Sequence, residues 1–177
     1  MFAERISGNI PSPLPTFDHV YEKVSLFGGL SQSQIETLVG SMSLVSFDRG
    51  DTIYSQGQLP CNIYILLSGK VELNIYRKDG NVGQITYNSG DCFGETALIG
   101  IQPQVGETTA LDDTWTLQLS RTSLLELTQY HGDVFALLMM NVAREVSRRL
   151  HEALSIGISE GDAAKVHSVY GGIKTAQ

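Results

Sequence analysis

The sequence predicts an α+β fold, an antiparallel β-barrel or roll with helices before it and one long helix after it. Three observations carry this. The apolar period is helical over residues 31–42, becomes two from Leu44 to Ser120, and returns to helical after Ser120. Glycines at 50, 57, 69, 80, 83, 90, 94, 100 and 106 punctuate the middle region at intervals suited to short strands. A long segment near the end, about 133–154, carries Phe135, Met139, Val142, Val146 and Leu150 at spacings of four and three.

The elements follow in order. Residues 1–16 hold Pro11, Pro13 and Pro15 among Ser and Gly, the composition of a flexible or extended arm. Val20, Val24, Leu26 and Phe27, then Gly28-Gly29, read as a short helix and a turn. Ser31-Gln32-Ser33-Gln34 is a capping-box pattern, and Ile35, Leu38, Val39 and Met42 behind it give a helix of about three turns. Ile63, Ile65 and Leu67 alternate with Asn62, Tyr64 and Leu66, and Ser68-Gly69 ends that strand. Val71, Leu73 and Ile75 form the next strand, and Asp79-Gly80 signals a hairpin. Ile85 and Tyr87 begin another. Trp115, Leu117 and Leu119 alternate with Thr114, Thr116, Gln118 and Ser120 in the last. Ser123 and Glu126 fit a second capping box. Residues 156–177 are Gly-rich and read as a flexible tail, leaving residues 17–155 as the domain.

Composition limits the function. With 177 residues, 42% hydrophobic and 18% charged, the chain can bury a core without disulfides. The net charge of −7 argues against nonspecific nucleic-acid binding and against adhesion to anionic membranes. Cys61 and Cys92 are far apart and form no CxxC pair, which suggests reduced thiols and a cytoplasmic setting. No apolar run reaches the roughly 18–20 residues a membrane helix needs. No signal-peptide pattern stands at Met1-Phe2-Ala3-Glu4-Arg5. His19, His131, His151 and His167 lack metal-ligand spacing, so no metal is expected. No nucleophile–base set or carboxylate pair stands out, so the chain is not read as an enzyme.

The chemistry concentrates at Gly90-Asp91-Cys92-Phe93-Gly94-Glu95-Thr96-Ala97-Leu98-Ile99. A Gly-rich turn leads into a helix start, where backbone N–H groups suit a small phosphate. Gly94 allows close approach of the backbone, and Glu95 can accept from a sugar hydroxyl. The other reading of Glu95 is a first-turn acid favourable to the helix dipole. A cation is expected opposite the phosphate, at Gln104 within Gln102-Pro103-Gln104-Val105, and none is there. Arg77, Arg121 and Lys70 are the cations that could replace it from other strands.

Phe93-Gly94-Glu95-x-Ala97-Leu98 lies beyond Arg49-Gly50-Asp51-Thr52-Ile53, Gly57 and Tyr64-Ile65-Leu66-Leu67-Ser68-Gly69-Lys70-Val71. Over residues 20–155 this pattern resembles the cyclic-nucleotide-binding domain of Crp/Fnr-like regulators, cAMP-dependent kinase regulatory subunits and gated channels. The resemblance implies a jelly-roll-like β-roll, or double-stranded β-helix, flanked by N-terminal helices and a long C-terminal helix. It implies a ligand site of Phe93, Gly94, Glu95, Thr96, Ala97, Gln104 and Val105. There the Gly and Glu N–H groups hold the cyclic phosphate, and the Glu carboxylate takes the ribose 2′-hydroxyl. The family's Arg, nine residues after that Glu, falls on Gln104. The family's ligand class is a cyclic nucleotide: cAMP, cGMP or a cyclic dinucleotide. The purine-capping segment also departs, since Arg148-Arg149-Leu150 continues with His151-Glu152-Ala153-Leu154 and not with hydroxyl residues.

The expected function is therefore a regulatory sensor domain with a degenerate phosphate site, where cAMP binding is weak, absent or replaced by another ligand. The alternative is a ligand-independent dimerisation or protein-interaction module on the same scaffold. No helix-turn-helix pattern follows Leu154. Output is expected through a protein partner or a homodimer along Phe135, Met139, Val142, Val146 and Leu150, with no direct contact to nucleic acid or membrane.

Overall fold

The computed structural model describes residues 23–76, 80 and 82–159. The N-terminal arm, Arg77, the hairpin Asp79 and most of the tail lie outside these residues. The chain divides into two compact units, residues 1–141 and 142–177.

The first unit begins with a single 3-10 turn, Ser25–Phe27, whose Leu26 and Phe27 are buried. Helix α1 (Gln32–Gly40) starts where the sequence places it. The Ser31 hydroxyl accepts from the Gln34 N–H, and the Gln34 side chain accepts from the Ser31 N–H. That capping box satisfies two donors that a helix start leaves over. The helix ends before Met42, two residues short of the full apolar pattern, because β1 (Ser43–Phe47) begins at once.

Eight antiparallel strands follow in two four-stranded sheets. Besides β1, these are β2 (Thr52–Tyr54), β3 (Asn62–Ser68), β4 (Val71–Tyr76), β5 (Val82–Tyr87), β6 (Cys92–Phe93), β7 (Glu107–Ala110) and β8 (Thr114–Ser120). The sheet orders are β1-β8-β3-β6 and β2-β7-β4-β5. This is the β-roll the sequence predicts. Its interior holds Tyr54, Tyr64, Leu66, Val71, Leu73, Tyr87 and Phe93.

Three local expectations are corrected. β3 does not alternate between buried and exposed: residues Ile63 through Leu67 are all buried. Tyr64 and Leu66 enter the roll interior, while Ile63, Ile65 and Leu67 occupy the opposite, equally covered face. In β8, Thr114 and Thr116 are buried along with Leu117 and Leu119, and Trp115 is only half-buried. The register with β3 shifts between Leu66 and Ser68, and a bulge of this kind re-aims the side chains after it. β5 begins at Val82, so Ile85 and Tyr87 close the strand and do not open it.

Helix α2 (Glu95–Gly100) interrupts the strands, and α3 (Arg121–Tyr130) follows β8 without a loop. The cap of α3 is Ser120, whose hydroxyl accepts from the Ser123 N–H, so the capping serine is the last strand residue and not Ser123. Helix α4 (Gly132–Ser159) extends five residues past the expected end at Leu154. Its first part is fixed to the N-terminal elements by three hydrogen bonds. Gln34 Nε2 donates to Asp133 Oδ2 at 2.8 Å. Buried Asn141 donates to the carbonyls of Leu26 and Gly28 at 2.9 and 2.7 Å.

In the second unit, α4 carries a charge cluster of its own. Glu145 is buried and accepts from Arg148 and Arg149, and Arg148 also reaches Glu152. Burial pushes the Glu145 carboxyl up, but the two guanidinium groups more than offset this and hold it below the ordinary carboxylate range. A depressed folded-state pKa contributes stability above the unfolded value of 4.5 and loses it as pH falls through the folded value. The Glu145→Gln protein is therefore expected to show a flatter acid limb of stability. Urea midpoints measured from about pH 3 to pH 7 check this, and parallel curves for the two proteins would refute it.

Candidate functional site

The cassette is built on the end of the β3 hairpin where that strand begins. Phe93 pairs with Tyr64 across β6 and β3, and it is fully buried. Its ring stacks on Tyr64 at 4.9 Å and on Tyr87 at 5.2 Å between centroids, with Tyr54 at 6.3 Å. Phe93 thus anchors the cassette from below, and its side chain belongs to the core. The Tyr64 hydroxyl accepts from Asn62 Nδ2 at 3.3 Å, and burial raises its pKa.

Gly94 caps α2 at φ +82°, the left-handed region that other residues avoid. A Cβ there would lie 2.9 Å from the Asn62 carbonyl and 3.1 Å from the Tyr64 ring. Conformation and space both require glycine, so the chain can turn from β6 into α2 only with this residue. Glu95 then enters the first turn with 1% of its surface exposed. Ala97 and Leu98 are buried, and Thr96 is exposed. Helix α2 ends at Ile101, a β-branched residue held at φ +51° with 72% of its side chain exposed. Such a residue in the left-handed region is strained.

The chain then doubles back. The Gln102 N–H donates to the Ala97 carbonyl at 3.0 Å, which closes the cassette on itself. Glu95 and Gln104 stand two residues outside that closure on either side. Gln104 is clamped by its backbone: its N–H donates to the Gln58 carbonyl at 2.9 Å, and its carbonyl accepts from the Gly57 N–H at 2.8 Å. Only 6% of Gln104 is exposed. Glu95 and Gln104 are thus both buried, the one an acid and the other a neutral amide. Val105, next along, is 53% exposed. The cassette thus brings Phe93, Gly94, Glu95, Ala97 and Gln104 into buried positions and leaves Thr96 and Val105 outward.

Two further residues were not singled out as site residues from the sequence. Gly106 is pressed against β4, and a Cβ there would collide with the Asn74 carbonyl and lie 2.8 Å from Leu73 Cδ1. Thr108 is wholly buried with its hydroxyl unpartnered among the described residues. The signal for both was the i, i+2 rhythm of Gln104, Gly106, Thr108 and Ala110, which are all buried.

The structure also narrows the search for a replacement cation. Residues 82–120 contain no Lys, Arg or His. The Lys70 carbonyl receives the Leu111 N–H at the end of β3 opposite Asn62, six residues or about 20 Å along the strand. A lysine side chain cannot span that distance. Arg121 starts α3 at the same end as the cassette, with its N–H donating to the Cys61 carbonyl and its side chain exposed. No group of three or more His, Cys, Asp or Glu side chains able to hold a metal ion occurs among the described residues. No helix among them is long and apolar enough to cross a membrane.

A family model described as the cyclic nucleotide-binding domain matches residues 44–131. Among curated proteins, the chain is 25% identical to the CRP-like cAMP-activated global transcriptional regulator of Mycobacterium tuberculosis, over 74% of this chain and 59% of that protein. It is 30% identical to potassium channel AKT6 of Arabidopsis thaliana, over 73% of this chain but only 15% of the channel. Among solved structures, Thermus thermophilus catabolite activator protein is 28% identical, with a TM-score of 0.68 over 77% of this chain and 63% of that one. The chain therefore spans less than two thirds of the length of these relatives. Residues 44–131 contain nearly the whole roll, the cassette and α3, and with them the chain belongs to the cyclic nucleotide-binding domain family.

Proposed function

We propose that the chain is a regulatory sensor domain, without catalytic activity, whose cassette takes a small ligand but holds cAMP weakly or not at all. The observation that carries this reading is Gln104, buried and neutral at the place where the family pattern calls for an arginine. Glutamine donates and accepts one amide's worth of hydrogen bonds, with no charge and no guanidinium fork. The Gly94 turn, buried Glu95 and the clamped return loop keep the rest of the frame. Calorimetry against cAMP, cGMP and cyclic dinucleotides tests it. Dissociation constants no tighter than about tens of micromolar are expected, and submicromolar cAMP binding would overturn the degenerate-site reading.

Output from such a domain would be a shift in the population of α4 positions, set by the ligand's differential affinity for them. The relatives place the same domain in transcription regulators and channels, which fits a module that passes its signal to a partner or to a second copy.

A homodimer along α4 is supported by a specific observation. Phe135, Met139 and Val146 are half-buried, and Met140 and Leu150 are 52% and 47% exposed. Uncovered apolar side chains on one helix are interface material. Val142, in contrast, is only 3% exposed within the single chain, so it is a poor probe of association. The buried face of α4 runs through Val134, Leu138, Asn141, Val142 and Glu145, one step round from the expected stripe. Val146→Glu with Leu150→Glu is expected to convert a dimer to a monomer with little loss of fold, since it puts like charges in the seam. Light scattering at high micromolar concentration checks this, and a monomeric starting protein would end the idea.

A further inference from the structure

Resting on the reading that the cassette is a ligand site, we propose that the 3-10 turn Ser25–Phe27 couples the cassette to α4, gripped by Asn141 on one side and seated against Gly90 on the other. The grip is directional. Asn141 is 3% exposed and follows Val134 and Leu138 on the buried face of α4. A buried amide on an apolar face is costly unless its donors are met. Here Nδ2 donates to the Leu26 carbonyl at 2.9 Å and to the Gly28 carbonyl at 2.7 Å. Apolar contacts tolerate sliding, whereas hydrogen bonds weaken steeply when stretched. A shift of α4 by one residue is a rise of about 1.5 Å, enough to break both bonds or to carry the turn along.

The turn moves as one piece. The Phe27 N–H donates to the Val24 carbonyl at 3.0 Å, that of Gly28 to Ser25 at 3.4 Å, and that of Leu30 to Phe27 at 3.1 Å. Val24, Leu26 and Phe27 are buried, so the segment is also anchored by its side chains. A pull on Leu26 and Gly28 is therefore passed back to Val24 and to Lys23 before it.

Lys23 lies against the first residue of the cassette. Gly90 is buried at φ +97°, and a Cβ there would stand 3.2 Å from the Lys23 carbonyl oxygen and 3.2 Å from its Cβ. Gly90 presents bare backbone at this contact, so no side chain of its own absorbs movement. It is also tied to β3: its N–H donates to the Leu66 carbonyl at 2.8 Å, and the Leu66 N–H donates to the Asp91 carbonyl at 2.9 Å. Two residues on, β6 begins and leads through Phe93 to the Gly94 turn. The path from cassette to α4 thus runs Gly90, Lys23, the turn and Asn141, all within the first unit. Coupling along it acts equally in both directions.

Amide hydrogen exchange of the full chain, without ligand, tests the coupling. Asn141→Leu keeps the volume and removes both donors. Exchange is expected to quicken by about tenfold at Phe27, Gly28 and Leu30 and, by a smaller factor, at Gly90 and Asp91, with the β1 and β8 amides unchanged. Gly90→Ala approaches the turn from the other side and is expected to quicken the same turn amides without touching α4. Gln34→Ala is the control: it frees α4 from α1 at Asp133 and is expected to leave the cassette amides as they were. A loosened turn with unchanged cassette amides in Asn141→Leu would overturn the proposal. So would a rise spread evenly over β1 and β8, which would make Asn141 a residue of global stability only. A final arm separates this proposal from the reading beneath it. cAMP added to Gln104→Arg is expected to slow exchange at residues 134–141, and Asn141→Leu in the same protein is expected to abolish that protection. If cAMP binds and the protection survives Asn141→Leu, the coupling falls and the ligand site stands. If calorimetry shows no cAMP binding to Gln104→Arg, the site reading falls, and the exchange of the unliganded proteins still decides the coupling.

Discussion

Replacing Gln104 with arginine is expected to raise affinity for cAMP by about one to two decades. The backbone at this position is already fixed by reciprocal hydrogen bonds with Gly57 and Gln58, so the new side chain starts from an ordered Cα. A charge-assisted hydrogen bond contributes about 1.5–3 kcal/mol, against about 0.5–1.5 kcal/mol for a neutral one. The guanidinium also matches a phosphate with two parallel donors. Gln104→Lys supplies the charge without the fork and is expected to recover less. Calorimetry on the three proteins checks the order Arg, Lys, Gln. An arginine protein that folds normally and binds cAMP no better than the parent would show that residue 104 does not face the phosphate.

Truncating Phe93 to alanine is expected to cost about 3–5 kcal/mol of stability, the largest effect of any single change in the cassette. The ring is fully buried and stacked between Tyr64 and Tyr87, so its loss leaves a cavity lined by rings that cannot all collapse inward. Phe93→Leu keeps most of the volume and is expected to cost distinctly less. Urea unfolding of both proteins measures the difference. A loss under about 1 kcal/mol for the alanine protein would mean that the aromatic cluster is not the foundation of the cassette. The functional consequence follows from adjacency: Gly94 and Glu95 take their positions from the strand that Phe93 anchors. Ligand affinity should therefore fall in Phe93→Ala even though this side chain does not face the site.

The order of elements was legible because side-chain period reports local geometry directly. The helix–strand–helix sequence, the capping box at Ser31 and Gln34, and the Gly94 turn are all local, and all appear where the pattern puts them. That residue 104 carries no charge is likewise a matter of identity and needs no coordinates.

What the sequence determined by itself, then, is the roll between helices and the glycine turn that leads from β6 into α2. The tertiary structure alone decided which faces are covered and which groups are within reach. Alternation along β3 marks two faces but cannot say that both are buried. The α4 pattern marks an apolar stripe but not that Val142 turns inward while Leu150 stays half-exposed. Lys70 was a candidate cation until β3 placed its length between that residue and the cassette. Gly106 gained its role only when β4 came against it. Period is set by bonds along the chain, whereas burial and distance are set by segments far apart in sequence, so the second kind of fact waits for the fold.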